Sequence, residues 1–258
     1  MFRVLDDRPG SHAAVSVTRP GPLRVHAHVR AGADAADLSG LRVLLTADLL
    51  FRVAELSGLQ VLVTWEFTGD LAEKGVVERA AAALGAHPPV LPDAGPAQAW
   101  PGGPADVHVA DDGAAGTDNR GGVLIRAAAA RLARDTRPGG AAAGLPGGHD
   151  PLAVRLALMA VPRHQPAELT AANLAEAAHT LGEWRHRVAR WAESPSGAIP
   201  EPAAAALRAA FASLDTAAVL ALLSGLADDE TMAPGPRFET FVYADRVLGL
   251  DLPRGIGR

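Results

Sequence analysis

Residues 22–29 read PLRVHAHV, with Leu23, Val25, Ala27 and Val29 alternating against Arg24, His26 and His28. That period of two predicts a strand. Residues 41–56 are mostly apolar, interrupted by Arg42, Asp48, Arg52 and Glu55, which predicts a helix buried over much of its surface. Gly58 sits where a left-handed C-terminal cap belongs, and LQVLVTW follows as the short apolar run of a buried parallel strand. Strand, helix and strand in this order predict a right-handed crossover. Ligands in such folds bind beyond the carboxyl ends of the strands, so a pocket is expected around residues 30–40 and 66–70.

A further helix is expected over residues 74–84, followed by a Pro- and Gly-rich stretch to Pro104. ADVHVA reads as a strand and VLIRAAAARLARD as a helix. Residues 136–148, TRPGGAAAGLPGG, lack hydrophobic periodicity and read as a linker. Beyond it, Asp150 and Pro151 form an N-cap and first-turn proline. Over residues 170–193, Leu174, Ala177, Leu181, Trp184, Val188 and Trp191 make one apolar helical stripe, which assigns both tryptophans to a core rather than to base stacking. Shorter helices are expected over 202–213, 216–227 and 237–248. The predicted fold class is α/β: a Rossmann-like parallel-sheet domain over residues 1–148, then an all-α helical bundle over 149–258.

Composition narrows the setting. The opening MFRVLDDRPG carries charges where a signal peptide needs an apolar run, and no apolar stretch is long enough to span a bilayer; a cytoplasmic protein without membrane contact is expected. With no cysteine among 258 residues, disulfides, thiolate nucleophiles and Cys-based zinc sites are excluded. A net charge of −5 argues against broad attraction to nucleic acid. Lys74 is the only lysine, and the arginine excess, alongside abundant Ala and Gly, reflects high-GC codon usage rather than function.

Several segments together resemble cysteinyl-tRNA synthetase, a class I aminoacyl-tRNA synthetase. RPGPLRVHAHV is similar to the strand entering that family's active site, and LSGLRVLLTADLLFRVAELSGLQVLVTWEFTGD to the segment carrying its H-I-G-H-type signature and the N-x-T-D-I-D-type strand end. HDPLAVRLALMAVPRHQPAELTAANLAEAAHTLGEW resembles the family's Y-D-P-E-x-L-R helix and its continuation; LDTAAVLALLSGLADD and DRVLGLDL resemble later bundle segments. Family members continue into anticodon-binding elements beyond this point.

The departures from the family pattern carry the functional expectation. Aligning Arg42 with the family's arginine puts Asp37, Leu38, Ser39 and Gly40 where the signature belongs, without either histidine. In the family those imidazoles meet ATP phosphates; a carboxylate at Asp37 would repel them. The slot for the K-M-S-K-S loop, just before Asp150, contains no lysine. The family reads its substrate through a zinc ion held partly by thiolates, and His28 falls at the first zinc cysteine, while DVH at 106–108 resembles a fragment of the D-I-H-G strand. A surrogate metal site from His26, His28 and His108 competes with ordinary hydrogen-bonded or exposed histidines. No compact ligand set is visible in the sequence, so no metal or other cofactor is assigned and zinc is not expected.

The resemblance therefore implies a synthetase-like protein that has lost ATP-dependent adenylation and acts as a small-molecule-binding or regulatory pseudo-synthetase. Candidate ligand-binding residues are His28, Asp37, Ser39, Gly40, Thr68, Gly69, Asp70 and His108, with ATP, an amino acid or an adenylate as candidate ligands; no catalytic residue is assigned. Asp37 or Ser39 also reads as the helix N-cap, and residues 68–70 as a strand-end turn. Two alternatives stay open. One is a repurposed enzyme: the same scaffold hosts a cysteine ligase of mycothiol synthesis, which still needs ATP activation, whereas an enzyme or ligase using a preformed adenylate or aminoacyl-tRNA does not, with His26, His28 or His108 as general base. The other is a protein-interaction module working through the bundle. Binding of tRNA is not expected, because Arg185, Arg187 and Arg190 of WRHRVARW read as a solvated helix face.

Overall fold

The structure, a computed structural model, describes residues 4–8, 14–15, 21–32, 34–89, 104–114, 121–136 and 145–257. In chain order the elements are β1 (Val4–Leu5), β2 (Ala14–Val15), β3 (Leu23–Arg30), α1 (Ser39–Leu56), β4 (Val61–Thr68), α2 (Leu71–Ala83), β5 (Val107–Asp111), β6 (Val123–Ala127) and β7 (Ala130–Leu132). There follow α3 (Pro151–Met159), β8 (Ala167–Leu169), α4 (Ala171–Trp191), α5 (Glu201–Ser213), α6 (Thr216–Asp228), α7 (Pro234–Leu248) and a 3-10 turn (Leu252–Gly255).

Four strands pair in parallel in the order β4-β3-β5-β6, so the chain reverses its direction of growth between β3 and β5. The fold is α/β, Rossmann-like, with a helical continuation, as the patterns predict. Alternation along β3 places Val25, Ala27 and Val29 on the face covered by α1 and His26 and His28 on the other. At Gly40 helix and strand approach closely: a Cβ there would lie 2.6 Å from the Arg30 carbonyl oxygen and 3.2 Å from Val29 Cγ1, so only glycine fits.

α2 begins at Leu71, earlier than expected. Asp70 accepts the Glu73 amide at 2.8 Å while the Glu73 carboxylate accepts the Asp70 amide at 2.8 Å, a reciprocal capping box. Asp70→Ala should cost about 1 kcal/mol, read as a lower urea midpoint at unchanged slope.

The helix expected over VLIRAAAARLARD is replaced by β6 and β7. Alanine's helix propensity is a weak preference. It yields here because Val123, Leu124 and Ile125 are buried against the open edge of β5, where a strand pairs its backbone and fills both faces. β7 in turn pairs with β8, a contact across the chain that no local pattern signals.

In the helical part, α4 buries the expected stripe of Leu174, Ala177, Leu181, Trp184, Val188 and Trp191. Trp184 and Trp191 meet Phe241 of α7 edge to face, with ring centroids 5.6 and 5.1 Å apart. α7 also packs on α1, and one buried apolar core runs through residues before and after 148. Of the expected linker at 136–148, residues 137–144 lie outside the described residues, as do 90–103 of the Pro- and Gly-rich stretch. Among the described residues no helix is long and apolar enough to cross a membrane.

Candidate functional site

The carboxyl end of β3 leads through residues 31–38 into α1, and the first turn of that helix borders a cavity of about 570 Å³. Its walls are Asp34, Asp37 and Ser39 on one side and Ala129–Arg131 and Pro166–Glu168, from β7, β8 and their approaches, on the other. A smaller cavity of about 390 Å³ shares Arg131 and Glu168 with it and adds Arg134, Asp135 and Thr170. Of the pocket expected around residues 30–40 and 66–70, the first segment lines this cavity and residues 66–70 do not; β7, β8 and their approaches, absent from the sequence reading, supply the opposite wall.

At the helix N-terminus in this cavity one amide is taken by the chain's own carboxylate. Asp37 lies one residue before the N-cap Leu38, and its Oδ1 accepts the Ser39 amide at 2.8 Å. Ser39 Oγ accepts the Ala130 amide at 3.2 Å, tying the same turn to β7. Both Asp37 and Ser39 thus organise the start of α1. Arg42, one turn further, is buried and donates to the carbonyls of Ala128, Ala129, Val161, Pro162 and Gln165. It clamps the β6–β7 and α3–β8 connections, and burial pushes its guanidinium down to about 10.

Next to this end of the sheet, Arg30 binds Asp111 through Nε and one terminal nitrogen, at 3.1 and 2.8 Å. Thr68 pairs with Arg30 in register, a Cβ at Gly69 would lie 2.7 Å from Ala31 Cβ, and Asp70 is engaged as the α2 cap. Gly40 is the packing glycine described above. The remaining candidates lie on the face away from α1. There His28 Nε2 and His108 Nδ1 are 3.0 Å apart, and His26 Nδ1 lies 3.0 Å from Thr64 Oγ1. The structure thus brings His28 and His108 together and sets them on the opposite side of β3 from Asp37 and Ser39.

A third cavity, about 440 Å³, lies between α1, β4 and α2, with mainly apolar walls including Phe51, Val63 and Trp65. Its polar edge, Asp48 and His87, belongs to a structural network: Asp48 is also held by Arg52 and by Arg155 of α3. Of the WRHRVARW arginines, Arg185 binds Asp150 and the carbonyls of Leu250 and Asp251, and Arg187 binds Asp228.

Sequence reasoning missed Arg131 and Glu168 of the α1 cavity, whose placement follows from β7–β8 pairing; it set Glu66 at the edge of an expected pocket but not opposite His28, where register puts it. The class defined by these features is a parallel, Rossmann-like α/β protein with an aspartate turn at the entry to the helix that follows its central strand. Compared with known proteins, the chain matches no family model, and no curated protein matches it.

Proposed function

We propose that the chain is a small-molecule-binding protein on a scaffold resembling cysteinyl-tRNA synthetase, without ATP-dependent adenylation, acting through binding as a regulator. The observation that carries this reading is Asp37. In parallel α/β proteins that bind phosphate, the free amides at a helix N-terminus receive the anion; here the Asp37 carboxylate takes the Ser39 amide at 2.8 Å. Asp34 and Glu168 add two more carboxylates to the same cavity against one arginine, Arg131, among the described residues. A phosphate about 4 Å from one such carboxylate is repelled by about 4 kcal/mol at the effective dielectric of a protein surface. That balance disfavours a triphosphate and suits neutral or amine-bearing ligands, such as a nucleoside or an amino acid. A tRNA partner is not part of this reading, because Arg185 and Arg187 are engaged by Asp150 and Asp228.

Two measurements test it. Amino-acid-dependent exchange of pyrophosphate into ATP should be absent with cysteine and with other amino acids; robust exchange refutes the reading. In titration calorimetry adenosine should bind at least as well as ATP, and Asp37→Asn should improve ATP relative to adenosine by about tenfold or more, without restoring exchange. An unchanged preference would mean that the phosphates do not approach Asp37.

A further inference from the structure

The cavity of about 440 Å³ between α1, β4 and α2 shares no lining residue with the two cavities at the start of α1. From α1 come Leu44, Ala47, Asp48 and Phe51, spaced as one helical stripe, and from α2 come Glu78, Ala81 and Ala82 at the same spacing. Val63 and Trp65 of β4 form the floor, because alternation along the strand turns both toward the face that α1 covers. The space exists because alanine is short. Ala47, Ala81, Ala82 and Ala86 stand where larger side chains would close the gap between the two helices and the sheet. Its volume falls in the range of small-molecule sites, roughly 300–1,000 Å³.

The walls offer electron-rich groups and no cation: among the described residues neither lysine nor arginine lines the cavity. The Trp65 indole N–H is buried in the wall and unpaired, so the surface that Trp65 presents to the cavity is ring carbon. Phe51 adds a second ring, its centroid 4.1 Å from that of His87. Aromatic faces attract cations through their quadrupole. At the edge, Asp48 is a carboxylate paired with Arg155 and Arg52, and it accepts the His87 Nδ1 hydrogen at 2.7 Å. A carboxylate only accepts, so that proton sits on Nδ1 and the neutral imidazole keeps its lone pair on Nε2. Glu78 stands exposed at the rim and forms no ion pair among the described residues.

We propose that this cavity binds a small hydrophobic amine, with its apolar body against Phe51 and Trp65 and its ammonium group at the rim beside Glu78 and His87. Burial of the apolar body supplies most of the affinity, and the carboxylate at the rim selects the end group. The same walls disfavour a carboxylic acid of equal shape, which would meet Glu78 with no cation to receive it. The site does not rest on the ligand-binding reading of the cavity at Asp37.

The test uses the full chain in titration calorimetry and thermal melts with 2-phenylethylamine, 2-phenylethanol and 3-phenylpropionate, which share a ring and differ in the end group. The amine should bind once per chain with a Kd at or below about 1 mM and raise the melting temperature. The alcohol should bind about two- to fivefold more weakly, and the acid more weakly still. Glu78→Gln, at an exposed position, should leave the ligand-free melting temperature unchanged and erase the preference for amine over alcohol. Ala82→Leu, on the exposed side of α2, should fill the mouth and weaken the amine and the alcohol by about tenfold or more while unfolding stays cooperative. Asp37→Asn should leave amine binding unchanged, which separates this site from the cavity at the start of α1. Absence of amine binding at millimolar concentration, acid binding equal to that of the amine, a preference that survives Glu78→Gln, or amine binding that Asp37→Asn alters overturns the proposal.

Discussion

Asp48→Ala should lower the stability of the protein by about 3–5 kcal/mol, seen as a large fall in the urea midpoint. Asp48 of α1 is buried, and its carboxylate takes hydrogen bonds from Arg155 at 2.6 Å, Arg52 at 2.9 Å and His87 at 2.7 Å. Arg155 is fully buried; it also donates to the carbonyls of Leu84 at 3.1 Å and Leu248 at 2.5 Å, so one guanidinium joins α2, α3 and α7 to α1. Removing Asp48 leaves that cation without its counter-charge. The loss is comparable with a sizeable share of the 5–15 kcal/mol that ordinary domains possess. Replacing both partners with apolar residues of similar volume should recover most of it, because the desolvation of both ions disappears together. A loss below about 1 kcal/mol in the single variant would mean that the two carbonyls alone satisfy Arg155.

The same residue gives an expected pH dependence. Burial opposes ionisation of Asp48, but the His87 hydrogen bond and the Arg155 and Arg52 charges outweigh it and hold the carboxyl far below the usual range. A depressed carboxyl stabilises the folded state above its unfolded value, and that contribution is lost as pH falls toward the folded value. Wild-type stability should therefore decline below about pH 4, and the decline should be shallower in Asp48→Ala.

Phe241→Ala should cost about 3–5 kcal/mol, because the ring is fully buried and the neighbouring helices collapse only in part around the space it leaves. Its edge-to-face contacts with Trp184 and Trp191 join α7 to α4, and α7 is the helix that carries the bundle onto α1. The loss should appear in guanidinium unfolding followed by tryptophan fluorescence, with Phe241→Leu retaining part of it. A cost under about 1 kcal/mol would show that α4 and α7 repack freely, contrary to the density expected of a core.

Elements whose side chains report their own environment were legible before any coordinates. β3 alternates, α4 has a sharp apolar stripe, and Asp150 with Pro151 marks the start of α3. Residues 123–135 were not legible in this way. Alanine has too small a side chain to set a period, and the deciding partners, β5 for β6 and β8 for β7, are distant in sequence. The β7–β8 pair then supplies half the walls of the cavity at α1, so missing it also hid Arg131 and Glu168.

At the sites the division follows the same physics. The sequence by itself determined that no cysteine is present, that a carboxylate stands at the entry to α1, and that His26 and His28 share one face of a strand, because composition and period two require nothing beyond the local chain. Only the tertiary structure decided that Asp37 accepts the amide of Ser39, and that Glu66 stands opposite His28 with His108 behind it. Strand register is set by the packing of whole faces rather than by neighbouring residues, and a shift of one residue would have turned Glu66 to the other side of the sheet.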